Sequence, residues 1–112
     1  MSIRERVKAL QTTMLGEEMT PEIARRSLVQ LTGLMGLAAE HLRECELTYK
    51  RVLVVKLSEF EKANRARIEA EATDQFAAFR EAKDVFTSLD QMTMSCKAYL
   101  RSLDTEMKNL PR

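Results

Sequence analysis

The stretch from Leu37 to Leu110 contains neither glycine nor proline, the residues that most often interrupt helices and strands. Within it, apolar residues recur every three or four positions, which is the spacing of one face of an α-helix. The full chain of 112 residues has only three Gly and two Pro, which leaves little material for the turns of a β-sandwich. We therefore predict an all-α fold built as a single helical domain, residues 1–112.

Polar residues near the N-terminus predict where the first two helices begin. Ser2-Ile3-Arg4-Glu5 is a capping-box pattern, in which the Ser hydroxyl and the Glu carboxylate satisfy helix-start amides. It predicts a short amphipathic helix over about residues 3–15, with Gly16 as a natural stop. Thr20 followed by Pro21 is typical of an N-cap and a first helical residue, so a second helix is predicted to begin at residue 21.

The stretch without glycine or proline would exceed roughly 100 Å as one helix, so the chain forms either a long rod or a helix pair with a hidden turn. The best candidate turn lies near Glu71, because Thr73 can cap a following helix and Asp74 would lie in its first turn. Asn64 is a second candidate. We predict long helices over about residues 21–71 and 74–109, packed as an antiparallel, coiled-coil-like hairpin.

The later long helix has the more regular apolar seam, with Thr93 as its one polar member. The apolar seam positions are Phe79, Ala82, Phe86, Leu89, Cys96, Leu100, Leu103, Met107 and Leu110. An apolar flank repeats once per heptad and widens the face enough to touch two neighbours, the second being the first helix or another subunit. The flank is formed by Ala78, Val85, Met92 and Tyr99. Because elongated helices bury little surface per residue, we predict a homo-oligomer.

Methionine adapts to irregular contact surfaces, and the chain has seven of them. The same residue type also fills the cores of helical bundles, so this signal has two interpretations. Met92 lies on the flank of the seam and Met94 lies off it, which makes these two the better candidates for a contact surface. The predicted interface residues are Val85, Met92, Met94 and Tyr99.

The earlier long helix carries an apolar stripe with one shift in phase after Tyr49. The stripe consists of Leu28, Leu31, Met35, Ala38, Leu42, Cys45, Tyr49 and Val52, followed by Leu53, Leu57 and Phe60. The shift is equivalent to a four-residue stutter, which locally relaxes a left-handed supercoil. Gly33 and Gly36 lie inside this helix, where they permit a close helix crossing or a kink, or are simply tolerated.

Few residues offer catalytic or metal-binding chemistry. His41 and Cys45 lie one helical turn apart, but a zinc site needs about four protein ligands and only Cys96 and carboxylates remain. A turn near residue 71 would bring Cys45 and Cys96 to similar heights, and we favour reduced core cysteines over a disulfide. The sequence holds no nucleophile constellation, phosphate-binding loop or di-iron motif. We predict a protein that is not an enzyme and has no metal or cofactor.

Charge is distributed unevenly, although the net charge is only +1. Residues 50–67 carry six basic against two acidic side chains, whereas residues 69–90 carry six acidic against two basic ones. One interpretation is a basic strip that holds nucleic-acid phosphates. The other is that the two stretches lie side by side in the hairpin and neutralise each other. The strip consists of Lys50, Arg51, Lys56, Lys62, Arg65 and Arg67, and the aromatic residue Tyr49 directly precedes it.

No segment of the sequence is apolar enough over a sufficient length to span a bilayer, so we expect no membrane association. The first five residues do not form a secretory signal. Two cysteines without such a signal suggest a reducing compartment. We therefore expect a location in the cytoplasm, or in the cytoplasm of an infected host if the gene belongs to a phage.

Several segments together resemble a known class of helical protein. They are Tyr49-Lys50-Arg51, the Ala/Glu/Arg-rich run from Ala63 to Ala72, Phe79-Arg80-Glu81-Ala82-Lys83 and Tyr99-Leu100-Arg101-Ser102-Leu103. In periodicity and composition they resemble small helical phage proteins encoded beside recombination genes and, in outline, recombination mediators of the UvsY type. The resemblance implies long helices, oligomers that bind single-stranded DNA, contact with a recombinase, and the basic strip as the DNA-facing surface.

Two hypotheses about function follow. The first is a non-enzymatic, self-associating phage protein that assists DNA recombination or replication by holding single-stranded DNA and a recombinase, with one weak basic strip per subunit repeated around an oligomer. The alternative is a protein-only interaction module, such as a phage inhibitor of a host defence complex of the CRISPR type, or a small helical subunit of a larger assembly. In that case the methionine-bearing flank and the acidic stretch would contact the partner.

Overall fold

The computed structural model describes residues 2–16 and 18–109 of the chain. It contains the helices α1 (Ile3–Gly16), α2 (Pro21–Glu59), α3 (Ala63–Glu71) and α4 (Asp74–Lys108). Those two described ranges include no β-strand. The predicted all-α class is therefore confirmed, as are the short first helix and the presence of two long helices. Leu110, predicted as the last seam residue, lies outside the described residues.

Side-chain hydroxyls cap the starts of α1, α2 and α4 at the positions that the sequence predicted. The Ser2 hydroxyl accepts a hydrogen bond from the Glu5 amide at 3.2 Å. The Thr20 hydroxyl likewise accepts one from the amide of Ile23, also at 3.2 Å. Each bond satisfies one of the amides that a helix start leaves without an intrahelical partner.

The Thr73 hydroxyl has two roles at the start of α4. It accepts a hydrogen bond from the Phe76 amide at 3.3 Å and donates one to the carbonyl oxygen of Ala70 at 2.6 Å. The same side chain therefore satisfies a free amide of α4 and adds a shorter hydrogen bond to a carbonyl at the end of α3 that also accepts the Thr73 amide at 3.3 Å. This arrangement confirms the predicted break near Glu71.

The prediction of one continuous helix over residues 21–71 is wrong, because α2 ends at Glu59 and α3 is a separate helix. Lys62 at the N-cap of α3 has extended backbone angles, φ −96° and ψ 125°, which are incompatible with a continuing helix. Within α3, Ala66 and Ala70 are fully buried. Four-residue spacing of two small side chains gives a narrow face that packs closely, and this compensates for the interrupted hydrogen bonds. The break begins just before Asn64, the second candidate for a turn.

The sequence predicted a single domain, and tertiary contacts divide the chain into two compact units. Unit 1 combines Met1–Leu37 with Thr87–Arg112. Its buried apolar side chains are Val7, Leu10, Ala24, Leu31, Leu89, Met92 and Cys96. Val7 and Leu10 lie on the apolar face of α1, which packs beside α2 around Leu34.

Two polar contacts link α4 to the earlier part of unit 1. Tyr99 donates a hydrogen bond from its hydroxyl to the carbonyl oxygen of Met19 at 3.0 Å. Thr93 is buried in the seam, where its hydroxyl donates to the carbonyl oxygen of Leu89 at 2.8 Å and lies 3.4 Å from the sulfur of Met35. The polar member of the seam is therefore satisfied by its own helix, which removes most of the cost of burying a hydroxyl.

Unit 2 comprises Ala38–Phe86. Its buried side chains are small, namely Ala38, Ala66, Ala70 and Ala82. Unit 2 also contains an aromatic cluster, in which the ring of Tyr49 lies 5.0 Å from that of Phe76 and stacks on that of Phe79 at 5.6 Å. Such ring pairs add roughly 0.5–1.5 kcal/mol beyond the area they bury. Tyr49 is thus a core residue of unit 2.

Several seam and glycine predictions need correction. Leu57 and Met107, both predicted to be seam residues, are 45% and 72% exposed. Leu57 is two residues from the end of α2, and the side chain of the preceding Lys56 is only 29% exposed. Met107 is the last residue but one of α4, where it lines an open cavity with Pro21, the first residue of α2, and Leu103. The prediction that another helix crosses closely at Gly33 and Gly36 is also wrong, because a Cβ atom added at either position meets nothing within 4 Å.

Candidate interaction surface

All six residues of the predicted basic strip belong to unit 2, on α2, on α3 and at the N-cap of α3. Three of them form ion pairs with a carboxylate three or four residues away on their own helix. The pairs are Lys50–Glu46 at 3.1 Å, Lys56–Glu59 at 3.7 Å and Arg65–Glu69 at 3.0 Å. Such partly exposed pairs contribute little to stability. They do lower the positive potential that the strip presents to an anion.

The other three basic residues of the strip are Arg51, Lys62 and Arg67. All three are exposed, and none has an ion pair or hydrogen bond from its side chain to another residue within 2–16 or 18–109. The sequence offers six basic residues in the strip. In the structure three of them have carboxylate partners, and the other three are available to an outside partner. Whether they contact nucleic acid stays a prediction.

Base stacking, the other part of single-strand binding, requires exposed aromatic rings. The four Phe and two Tyr side chains are all half-buried. Tyr49, which directly precedes the strip, packs against Phe76 and Phe79. Phe60, which lies between Lys56 and Lys62, is half-buried. Within the described chain, therefore, no exposed ring lies beside the basic residues to hold a base.

The most unusual surface of unit 2 is apolar. Leu47, Val54 and Val55 on α2 are 50%, 66% and 52% exposed. Single exposed apolar residues are normal, but a cluster on one helix face marks a contact surface. Sequence reasoning assigned α2 a single inward stripe and missed this face. The available signal was the run Val52-Leu53-Val54-Val55, because four consecutive apolar residues on a helix must point in several directions.

Four residues on this face form one row, which we call the α2 ridge: Leu47, Arg51, Val55 and Glu59. Residues four apart on a helix line up as a raised row that packs into the groove of a neighbouring helix. Arg51 is exposed, and the side chain of Glu59 is 52% exposed. Val54 adjoins the row. The surface is therefore apolar in the middle and carries one cation and one anion on opposite sides of Val55.

The predicted interface residues of α4 have varied environments. Met92 is buried in unit 1, and Tyr99 is half-buried and bonded to Met19, so both contribute to the core of their own chain. Val85 is half-buried in unit 2. Met94 is 62% exposed. Of the four residues, Met94 alone presents most of its side chain to an outside partner, and an interface role for the set stays a prediction.

The His41–Cys45 pair is close in space, with the sulfur 3.6 Å from Nε2 of the ring. Burial raises the pKa of the Cys45 thiol above its usual range, and the negative charges of Glu44 and Glu81 raise it further. A raised pKa keeps the thiol protonated, which is the opposite of what a nucleophile or a metal ligand requires. In residues 2–16 and 18–109, no group of three or more His, Cys, Asp or Glu side chains is arranged to hold a metal ion.

Cys45 and Cys96 are both free thiols. The prediction that they lie at similar heights is wrong, because Cys45 lines a cavity with Gln75 and Ala78 of α4, about five helical turns before Cys96. Cys96 belongs to unit 1, where it is buried.

A second surface feature lies between α1 and α2 in unit 1. It is an open cavity of about 490 Å³, lined mainly by apolar and small residues. The lining residues are Arg6, Ala9, Leu10, Thr13, Gln30, Gly33, Leu34 and Leu37. Arg6 is the only ionisable residue among them, so the cavity has no pair of groups that could divide acid and base roles.

The chain matches no protein-family model, no curated protein and no solved structure. Within the described residues, no helix combines the length and the apolar character needed to cross a membrane.

Proposed function

We propose that this protein is a non-enzymatic, self-associating helical subunit whose function is to assemble with copies of itself and to hold a partner protein. The observation that carries the proposal is the exposed apolar face of α2 around Leu47, Val54 and Val55. Fully burying one aliphatic side chain of this size is worth about 1.5–3 kcal/mol, so leaving three of them half in water on one face is costly. Association with a second surface recovers that free energy.

We further propose that α2 and α4 form an antiparallel hairpin. In unit 1, Met19 lies beside Tyr99 and Met35 lies beside Thr93, so residue numbers fall along one helix as they rise along the other. In unit 2, Tyr49 lies beside Phe79. Within unit 2 the face of α2 around Leu47, Val54 and Val55 is exposed, which is what an assembly surface requires.

Self-association is tested by sedimentation velocity over a concentration series from about 1 to 500 μM, which spans the affinities expected of a small interface. The proposal predicts a sedimentation coefficient that rises with concentration toward a defined oligomer. A single monomeric species over the whole range contradicts it. Replacing Val54 with Lys, which changes no buried contact, is predicted to shift the transition to higher concentration, whereas Lys97→Glu on an exposed part of α4 leaves it unchanged.

Single-stranded DNA binding beside a recombinase, as in phage recombination, is the second candidate. It is favoured by the exposed and unpaired side chains of Arg51, Lys62 and Arg67 within the described chain. If it is correct, fluorescence anisotropy with a labelled oligonucleotide shows binding at low salt that weakens steeply as salt rises. The double variant Lys62→Glu/Arg67→Glu abolishes that binding and the double variant Lys8→Glu/Lys97→Glu, of equal charge change, does not. Equal binding by the two double variants excludes the strip as a DNA site.

The two candidate functions differ in how a partner is held, either by direct protein contacts or through bound nucleic acid. Capture of proteins from a host lysate, with and without nuclease, separates them. Partners retained after nuclease treatment support assembly through protein contacts, and partners lost after it support a nucleic-acid bridge. Reversal of Lys62 and Arg67 is predicted to leave the nuclease-resistant partners in place, because that charge change does not alter the apolar face.

A further inference from the structure

Apolar and charged residues alternate along the α2 ridge, and their order determines which surface can pack against it. Leu47, Arg51, Val55 and Glu59 follow one another at four-residue intervals, so apolar and charged side chains alternate along the row. Leu47 and Val55 are half exposed, and Val54 beside the row is 66% exposed. Arg51 and Glu59 lie at equal distances in sequence on the two sides of Val55, one positive and one negative.

This order makes the ridge complementary to a second copy of itself that is related by a two-fold axis perpendicular to the helix. If two copies meet at Val55 with their α2 helices antiparallel, Arg51 of each copy faces Glu59 of the other, and the two valines meet at the centre. We propose that the α2 ridge is the two-fold contact between two copies of this chain, with Val55 on the axis and the Arg51–Glu59 pair formed twice. The proposal rests on the self-association proposed above and names the surface that carries it.

Charge disfavours two competing arrangements of the same helix pair. A parallel pair in register, or an antiparallel pair centred at Arg51, brings two arginine side chains together in a contact that excludes water, and like charges there are unfavourable. Centring at Val55 removes that repulsion and gives two opposite-charge pairs. Isologous two-fold contacts of this kind, in which the same patch serves both subunits, are the commonest in soluble oligomers.

Glu59 is available for the contact even though it pairs with Lys56 in the single chain. That pair is long, at 3.7 Å, and the Glu59 side chain is 52% exposed. Such pairs are worth little in water, so Glu59 exchanges its partner at low cost. Arg51 has no partner to lose within the described residues.

The test is a charge exchange measured by sedimentation equilibrium with the full chain. Arg51→Glu and Glu59→Arg each place like charges opposite one another twice per dimer and are predicted to weaken the dimer by at least about tenfold in dissociation constant. The double variant Arg51→Glu/Glu59→Arg restores the pair with reversed polarity and is predicted to return the constant to within about threefold of the native value. Arg26→Glu, an exposed reversal on α2 away from the ridge, is the matched control.

The outcomes distinguish this inference from the proposal on which it rests. If the native chain is monomeric throughout, self-association and the two-fold ridge both fail. If the native chain associates and the two single variants behave like Arg26→Glu, another surface carries the association and only the ridge is overturned. Single variants that weaken the dimer without rescue by the double variant overturn the Arg51–Glu59 register. Circular dichroism of each variant confirms that the helices are retained.

Discussion

Tyr99 on α4 holds the start of α2, because its hydroxyl donates a 3.0 Å hydrogen bond to the backbone carbonyl of Met19, two residues before α2 begins at Pro21. Eighty residues of sequence separate the two groups. The carbonyl precedes the helix and therefore has no intrahelical partner, so the phenol supplies one that the local backbone cannot. This contact fixes where the end of α4 meets the entry to α2.

Replacing Tyr99 with Phe removes this hydrogen bond and leaves the half-buried ring in place. We predict a loss of about 1 kcal/mol in the free energy of unfolding, measured by urea denaturation followed by circular dichroism at 222 nm. Tyr49→Phe is the control, because the Tyr49 ring packs on Phe76 and Phe79 and its hydroxyl bonds to nothing within the described chain. Equal unfolding free energies for the two variants would contradict the account.

Thr73 links α3 to α4 through both of its hydroxyl hydrogen bonds. We predict that Thr73→Ala destabilises the chain by about 1–2 kcal/mol, because it removes a helix cap and leaves the carbonyl of Ala70 without the shorter of its bonds. Thr48→Ala is the matched control, since that exposed hydroxyl only bonds back to the carbonyl of Glu44 in its own helix. Alanine is the better helix former, so Thr48→Ala is expected to be neutral or slightly stabilising.

Gly33 and Gly36 are positions where stability can be gained. A Cβ atom at either position has nothing within 4 Å, and neither residue needs a positive φ. Alanine reduces the conformational freedom of the unfolded chain and favours the helix, so each substitution is predicted to stabilise by about 0.5–1 kcal/mol. Thermal unfolding of the single and double variants tests this, and a lower midpoint for either single variant shows that the glycine has another role.

Thiol reactivity tests the environments of Cys45 and Cys96. Burial raises the pKa of both thiols, and the charges of Glu44 and Glu81 add to the effect at Cys45. A raised pKa leaves less thiolate at pH 8, so Cys45 is predicted to react with a maleimide or disulfide reagent more slowly than a free cysteine, with a rate that still rises above pH 9. Glu44→Gln removes one of those charges and is predicted to speed the reaction at pH 8.

Cys96 is the internal control for that experiment. It is 1% exposed, so access rather than protonation limits its reaction. We predict modification of Cys96 only at the rate at which the region unfolds, with full reaction in denaturant. Mass spectrometry of partly labelled protein assigns each site, and Cys96 labelling ahead of Cys45 would contradict the burial described for the two residues.

Local signals in the sequence predicted the local features correctly. The caps at Ser2, Thr20 and Thr73 require only a hydroxyl at the right position, and each is formed. The seam of α4 was readable because burial at positions such as Leu89 and Cys96 follows the helical repeat. These predictions depend on residues within one or two turns of each other, where the geometry of a helix fixes the outcome.

Features set by tertiary packing were not predictable in the same way. The break after Glu59 has no glycine or proline and becomes favourable only because Ala66 and Ala70 bury completely once α3 has formed. The exposed face of α2 was not predicted, because we assumed that each apolar residue on a helix points to the core of its own chain. Counting six basic residues also overstated the strip, since Lys50, Lys56 and Arg65 have carboxylate partners that depend on side-chain geometry.

Cysteine crosslinking at position 55 tests most directly the claim that copies associate through the α2 ridge. A disulfide requires Cα atoms within about 7 Å, and in the proposed contact the residue on the two-fold axis is the one that comes this close to its own copy. Val55→Cys, mildly oxidised at a concentration where the native chain associates, is predicted to form a covalent dimer, while the native chain, with Cys45 and Cys96 alone, forms none. A Val55→Cys protein that still associates but yields no more covalent dimer than the native chain would contradict the account.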